Sequence, residues 1–258
     1  MKALVINLAT ETDRMTFQSR QLDALGVEWE RLDAVSPRTL TPPPDDPYWT
    51  RWQRPLRDAE KAATASHRSA WQRIAEGKAP MLVLEDDAVL MRDVPAFLAA
   101  VEGLPGIDHI SLETRGRRKL LGQRHAAAPM VRLWQDYTGA AAYVLWPSGA
   151  RILMEDCARA AGIADGIICA AHRMCSWQAD PALAVQLDRC VAHGLAAPIA
   201  VNSSILAETR PDRRNIPLSA RASYRARRIA GQIRILARRL ACVGRARRRH
   251  VALATQRR

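Results

Sequence analysis

Glu85, Asp86 and Asp87 follow directly on the apolar run Met81-Leu82-Val83-Leu84. Three adjacent carboxylates cannot be buried unpaired, because taking each charge out of water is costly. They therefore belong where a buried strand leaves the core. On an extended backbone side chains alternate, so Glu85 and Asp87 point to one side and Asp86 to the other. Two carboxylates on one side are a pair of hard oxygen donors, suited to a cation such as Mg2+ or Mn2+. The plainer alternative is a strand followed by a solvated acidic turn. Cys169, His172 and Cys175 also lie close together, but no second ligand cluster at zinc spacing accompanies them, and core thiols are the simpler reading.

The elements that must position the acids alternate between strand and helix. Ala3 to Leu8 is a short apolar run rich in β-branched residues, a first strand. A helix is expected from about Met15 to Leu25, ending at Gly26, and Val27 to Leu32 alternates as a second strand. A Pro-rich segment, 41–47, precedes Tyr48, Trp49 and Trp52, which either form a wall for a sugar or base or pin the loop to the core. Arg57 to Glu76 has few breakers and predicts a helix with Ser66 and His67 at its middle. Beyond the acids come a helix from Asp93 to about Val101, a strand over 107–112, a basic loop from Arg115 to Arg124, a turn and strand over 137–146, a helix begun at Ser148, Asp165 beside Gly166, and a late strand over 181–187. The basic loop is suited to phosphates, or is simply solvated. Strands alternating with helices indicate an α/β layered domain with a loop at the end of its first strand, as many nucleotide-binding domains begin. Neither a GxGxxG fingerprint nor a P-loop is present.

The formal net charge of +13 is unevenly spread. From Arg210 to Arg258 there are 16 Arg against one acid, Asp212, so this stretch carries +15 and residues 1–209 carry −2. A near-neutral body argues against a nucleic-acid binder. Within the basic stretch Ile229, Ile233, Leu236, Leu240 and Val243 recur at helical spacing, one apolar stripe among arginines. A basic amphipathic helix of this kind suits an anionic membrane surface; the alternative is a stripe packed on the body or on a partner helix. The opening residues have no signal-peptide pattern, and no run reaches the roughly 18 apolar residues of a membrane span. With five cysteines, an odd number, and no CxxC, the expectation is a cytoplasmic chain with reduced thiols.

Several separated segments together resemble glycosyltransferase family 25, the lipooligosaccharide galactosyltransferase-like enzymes. They are the opening VINLATETDRMTFQSRQLDALGVEWERLDAV, the helix RPLRDAEKAATASHRSAWQRI with Glu60, Ser66, His67 and Trp71, the acidic end MLVLEDDAV, then TGAAAYVLWPSGARIL and IADGIICAA. They run in the family's order over about residues 3 to 206. The resemblance implies a GT-A-like nucleotide-sugar-binding domain, an α/β fold with a central, mostly parallel sheet flanked by helices. That domain would span 1–208, with an Arg-rich amphipathic helical tail over 209–258. It also implies a UDP-sugar donor, Mn2+ or Mg2+, a lipopolysaccharide, lipid-linked or other glycan acceptor, and inversion at the anomeric carbon, most simply with galactose from UDP-galactose. Peripheral attachment to the inner face of the cytoplasmic membrane, through the tail, goes with such an acceptor.

On the same basis Asp87 is the expected metal ligand, with Glu85 assisting or holding the donor ribose. Asn7, Leu8 and Arg14, after the first strand, are expected to hold the nucleotide, with Asp33 and Asp86 completing that side. Asp165 is the candidate base, or else a turn residue; His67 is the candidate contact to donor or acceptor, or else structural. Where the family usually has Gly-Cys this chain has Ala62-Ala63, which keeps small residues but admits a catalytically degenerate scaffold acting as a binding protein.

Overall fold

A computed structural model describes residues 1–200 and 217–255; the expected boundary between 208 and 209 lies outside the described residues. The chain opens with β1 (Ala3–Asn7), α1 (Thr12–Leu25) and β2 (Trp29–Asp33), then α2 (Asp58–Glu76), β3 (Met81–Glu85), β4 (Ala88–Leu90) and α3 (Val94–Val101). It continues with β5 (His109–Ser111), β6 (Lys119–Arg124), β7 (Met130–Gln135), β8 (Ala142–Leu145), α4 (Pro147–Arg159) and α5 (Ala164–Ala170). The last elements are β9 (Ser176–Ala179), β10 (Ala184–Gln186), α6 (Leu218–Ala241) and β11 (Arg247–Arg249). α1 stops at Gly26, whose φ of 65° is the left-handed conformation that closes a helix at little cost to glycine.

Nine strands form one sheet in the order β11-β6-β7-β9-β5-β8-β3-β1-β2. β1, β2, β3, β5, β9 and β6 run one way; β8, β7 and β11 run against them. The sheet is thus mostly parallel in direction but mixed in pairing, because antiparallel β8 sits between β3 and β5. Both faces are covered, as the unbroken apolar run of β3 requires. Leu82 and Leu84 face one core with Leu22 of α1 and Phe97 of α3, while Val83 faces the other with Trp71, Leu153 and Ile167 of α2, α4 and α5. β1, β2 and β3 end side by side, with Asn7 opposite Asp33 and Ile6 opposite Glu85. The acids therefore emerge at the carboxyl ends of three parallel strands, the usual place for a ligand in such a sheet.

Two expectations are corrected, and one pair of alternatives is decided. The basic loop is largely strand: Lys119 opens β6 and is 3 % exposed, with its Nζ 2.6 Å from Asp136 Oδ2 and bonded to Gln178 Oε1. A lysine at that depth is tolerable only because the carboxylate meets it there. The aromatics of the Pro-rich segment pin it down. Trp49 is buried and donates its indole N–H to the carbonyls of Pro42 and Pro43, and Tyr48 donates to the Cys157 carbonyl. Finally, the basic C-terminal stretch does not end as a helix. β11 pairs antiparallel with β6, Thr114 donates to the Val251 carbonyl, and Val251 and Ala254 are buried in the core.

Candidate active site

The turn after β3 is held from both sides. α1 presents Gln18, fully buried, whose amide donates to the carbonyls of Asp86 and Ala88 at 3.2 and 2.6 Å. Gln21, one turn on, accepts from the Leu90 N–H. On the other side the β4–β10 pair sets Gln186 opposite Ala88. The Gln186 amide then donates to Glu85 Oε2 at 3.2 Å and Asp87 Oδ2 at 3.3 Å.

The three acids separate as alternation demands. Glu85 and Asp87 share Gln186, while Asp86 turns to Asn7 Nδ2 at 2.7 Å and Arg14 at 3.2 Å. Burial pushes the Asp86 carboxyl up to about 6, against the pull of Arg14 and Asn7. Asp87 is held well above the ordinary carboxylate range, first by burial and then by the charges of Glu85, Asp86 and Glu113. Its Oδ1, and Gln186 Oε1, are buried without a hydrogen-bond partner among the described residues.

Glu85 meets a chain of buried polar groups from the opposite direction. His67, 1 % exposed on α2, lies 3.1 Å from Glu85 Oε1 through Nε2 and 2.9 Å from the Tyr143 hydroxyl through Nδ1. Trp71 Nε1 donates to the same hydroxyl at 2.7 Å. Indole N–H is only a donor. The Glu85 carboxylate can only accept, so the neutral ring points its Nε2 proton at Glu85 and Nδ1 accepts from the Tyr143 hydroxyl, which itself accepts from Trp71. Burial alone would raise Glu85, but the His67 bond and the Arg115 charge outweigh it and hold the carboxyl below its ordinary value. Tyr143→Phe strands the Trp71 N–H and His67 Nδ1 together. It is expected to cost about 2–4 kcal/mol, read as a drop in the urea midpoint.

Asp165 sits in the first turn of α5, half-buried, its carboxyl raised by burial and by the Glu85 charge and lowered by Arg115 and His67. It thus shares one electrostatic neighbourhood with Glu85 and His67. Asn7 and Arg14 are brought to the acids, and half-buried Leu8 follows Asn7 at the strand end. Asp33 is not brought in: its side chain is 87 % exposed and pairs with Arg31. Ala62, 3 % exposed, packs against the core, and its carbonyl accepts from Ser66, whose hydroxyl in turn receives the Val35 N–H. The small residues therefore preserve the packing of α2. Sequence reasoning missed Gln18, Gln186 and Glu113. Glu113 is fully buried beside Lys119, with Oε2 accepting from the Ala141 N–H, and burial raises its carboxyl to about 7.

The profile of glycosyltransferase family 25, described as an LPS biosynthesis protein, matches residues 1–167. The chain belongs to glycosyltransferase family 25. Every expected site residue, from Asn7 to Asp165, falls inside the match, and the family 25 segment thus carries both the acids and the His67 chain. Gln186, which bridges Glu85 and Asp87, lies beyond it. Among solved structures, a mutant Drosophila β1,4-galactosyltransferase 7 in complex with manganese, UDP-Gal and xylobiose aligns with 9% identity over 82% of this chain and 80% of that one, at a TM-score of 0.40. No curated protein sequence matches the chain.

The donor set of this family 25 chain fits a divalent ion. Among the described residues no group of three or more His, Cys, Asp or Glu stands ready as a closed metal site. An ion completed by substrate phosphates needs only one or two carboxylates. The unpartnered Asp87 Oδ1, in a turn crowded with negative charge, is such a donor.

Proposed function

We propose that this glycosyltransferase has a GT-A fold and is metal-dependent and inverting, moving a hexose, most simply galactose from UDP-galactose, onto a lipopolysaccharide, lipooligosaccharide or other glycan acceptor. The observation that carries the reading is the pair Glu85 and Asp87 on one side of a strand end, one oxygen of Asp87 buried and unpartnered. Asp87, with Glu85, would hold Mn2+ or Mg2+. When bound, the ion supplies Lewis-acid stabilisation of the charge that develops on the departing diphosphate. Asn7, Leu8, Arg14 and Asp86 line the neighbouring strand end, where the nucleotide is expected. The acceptor hydroxyl oxygen bonds to the anomeric carbon as the bond from that carbon to the diphosphate breaks, and the hydroxyl proton passes to one base. Asp165 is assigned that proton; its raised carboxyl makes it a better acceptor than an ordinary aspartate. His67, held in one tautomer by Tyr143, orients Glu85. All five cysteines are free, which supports a reducing, cytoplasmic setting supplied with soluble nucleotide sugar.

Calorimetric titration with a panel of UDP-sugars, with and without Mn2+, tests the reading. One donor is expected to bind at least roughly tenfold more tightly with the ion present. Binding that ignores the ion would remove the metal from the reading, and a folded protein that binds no donor would favour the degenerate scaffold.

A further inference from the structure

α6 is 24 residues long, about 36 Å. Its inward positions are Tyr224, Arg227, Gly231, Ile235, Arg238 and Cys242, spaced by three and four. Arg227 donates to the Thr50 carbonyl, Gly231 lies so close to Gln53 that a Cβ would come within 2.8 Å of its amide, and Arg238 donates to the Trp134 carbonyl with its guanidinium 4.8 Å from that ring. Arg239 reaches the Tyr137 hydroxyl, and Cys242 is buried. Amphipathic helices on soluble bodies normally turn their apolar stripe to the core. This one is docked largely through polar and small side chains.

The apolar stripe lies half a turn away, at about 180° on a helix of 3.6 residues per turn. Ile229, Ile233, Leu236, Leu240 and Val243 are 46%, 61%, 54%, 64% and 74% exposed, and the other large apolar side chain exposed among the described residues is Val191. Arg225, Arg228, Arg234 and Arg245 are also exposed, as are Arg247 and Arg248 just beyond the helix, and no acid occurs after Asp212. No described helix is long and apolar enough to cross a membrane.

We infer that the outer face of α6 is an interfacial membrane-binding surface for anionic lipid. The charge decides the occupant. An apolar row bordered by unopposed arginines fits a bilayer whose headgroups are negative, each arginine near the surface adding to the attraction, whereas a second copy would set arginines against arginines across the contact. β11 fixes the orientation: the strand after the helix is built into the sheet, so the surface cannot peel away from the body. The inference does not depend on the donor chemistry, and its failure would leave the transferase reading untouched.

Truncating the chain at the helix would also remove β11, so the test uses substitutions in the full chain. Ile233→Glu with Leu236→Glu changes only exposed positions. Flotation is measured with vesicles of phosphatidylglycerol and phosphatidylcholine in equal parts, and with phosphatidylcholine alone. Wild type is expected to float with the anionic vesicles, to lose this in high salt, and to bind on the order of tenfold less after the double substitution. Thermal melting should be unchanged by the substitution. Equal flotation of wild type and variant, or no flotation of wild type, overturns the inference. So does a lipid-independent dimer that the substitution splits, which would make the stripe a self-association surface. Arg225→Glu with Arg228→Glu, both at exposed positions, should weaken binding to the anionic vesicles alone.

Discussion

Asp87→Asn is expected to melt higher than wild type when no divalent ion is present, and to transfer sugar on the order of a thousandfold more slowly when one is. The two effects have one origin. In the protein alone, the Asp87 carboxylate is crowded by Glu85, Asp86 and Glu113, and one of its oxygens is buried without a partner. Removing that charge relieves repulsion, and each kcal/mol relieved raises the midpoint by about 2–4 °C in a chain of this size. A bound ion reverses the balance, because the charge that destabilises the empty site is what attracts the cation. Mn2+ should therefore raise the melting temperature of wild type by mass action and leave the variant unmoved. Differential scanning fluorimetry with and without Mn2+, beside a transfer assay, checks both halves. A variant that loses activity and also melts lower would make Asp87 a structural residue.

Glu113→Gln is expected to abolish a pH dependence of stability worth on the order of 3 kcal/mol. Burial raises the Glu113 carboxyl from an unfolded value of 4.5 to about 7 in the fold, against the opposing charges of Lys119 and Arg115. The folded chain thus holds this proton more tightly than the unfolded chain does. The stabilisation is fully present below pH 4.5 and is lost as pH rises to about 7, beyond which it changes no further. Glutamine keeps an acceptor for the Ala141 N–H and cannot ionise. Urea unfolding at intervals from pH 4.5 to 8 should therefore show wild type falling steadily relative to the variant. Parallel curves would mean that the carboxyl titrates alike in both states. Gly139 belongs to the same arrangement: its φ is 129°, and a Cβ there would lie 2.6 Å from Glu113 Oε1, so any side chain at 139 would displace the carboxyl.

Much of this site was legible because it rests on local pattern. An apolar run ending in acids specifies a strand that emerges at a sheet end, and a period of two separates Glu85 and Asp87 from Asp86. The rest depends on which strands become neighbours. Tyr143 reaches His67 because β8 lies against β3, and Gln186 reaches both carboxylates because β10 pairs with β4; neither pairing has a short-range signal. Lys119 looked like part of a solvated loop because its partner, Asp136, comes from just past the end of the following strand. β11 is three arginines, which no strand propensity favours; it is a strand because β6 offers an open edge. Asp33 shares the strand-end position of the acids but lies on the outermost strand, where solvent and Arg31 claim it.

That open edge has a consequence for how the protein is made. Chains emerge from the ribosome amino end first, and β6, with buried Leu120 and Leu121, is complete long before β11 exists. Throughout that interval the sheet presents an unpaired, partly apolar rim, the kind of surface that recruits strands from other molecules. β11 and the segment after it thus act as a seal, applied only long after β6 has been made. A premature stop before Arg247 should yield aggregate rather than a smaller soluble enzyme, although every residue of the acidic turn would already have been made.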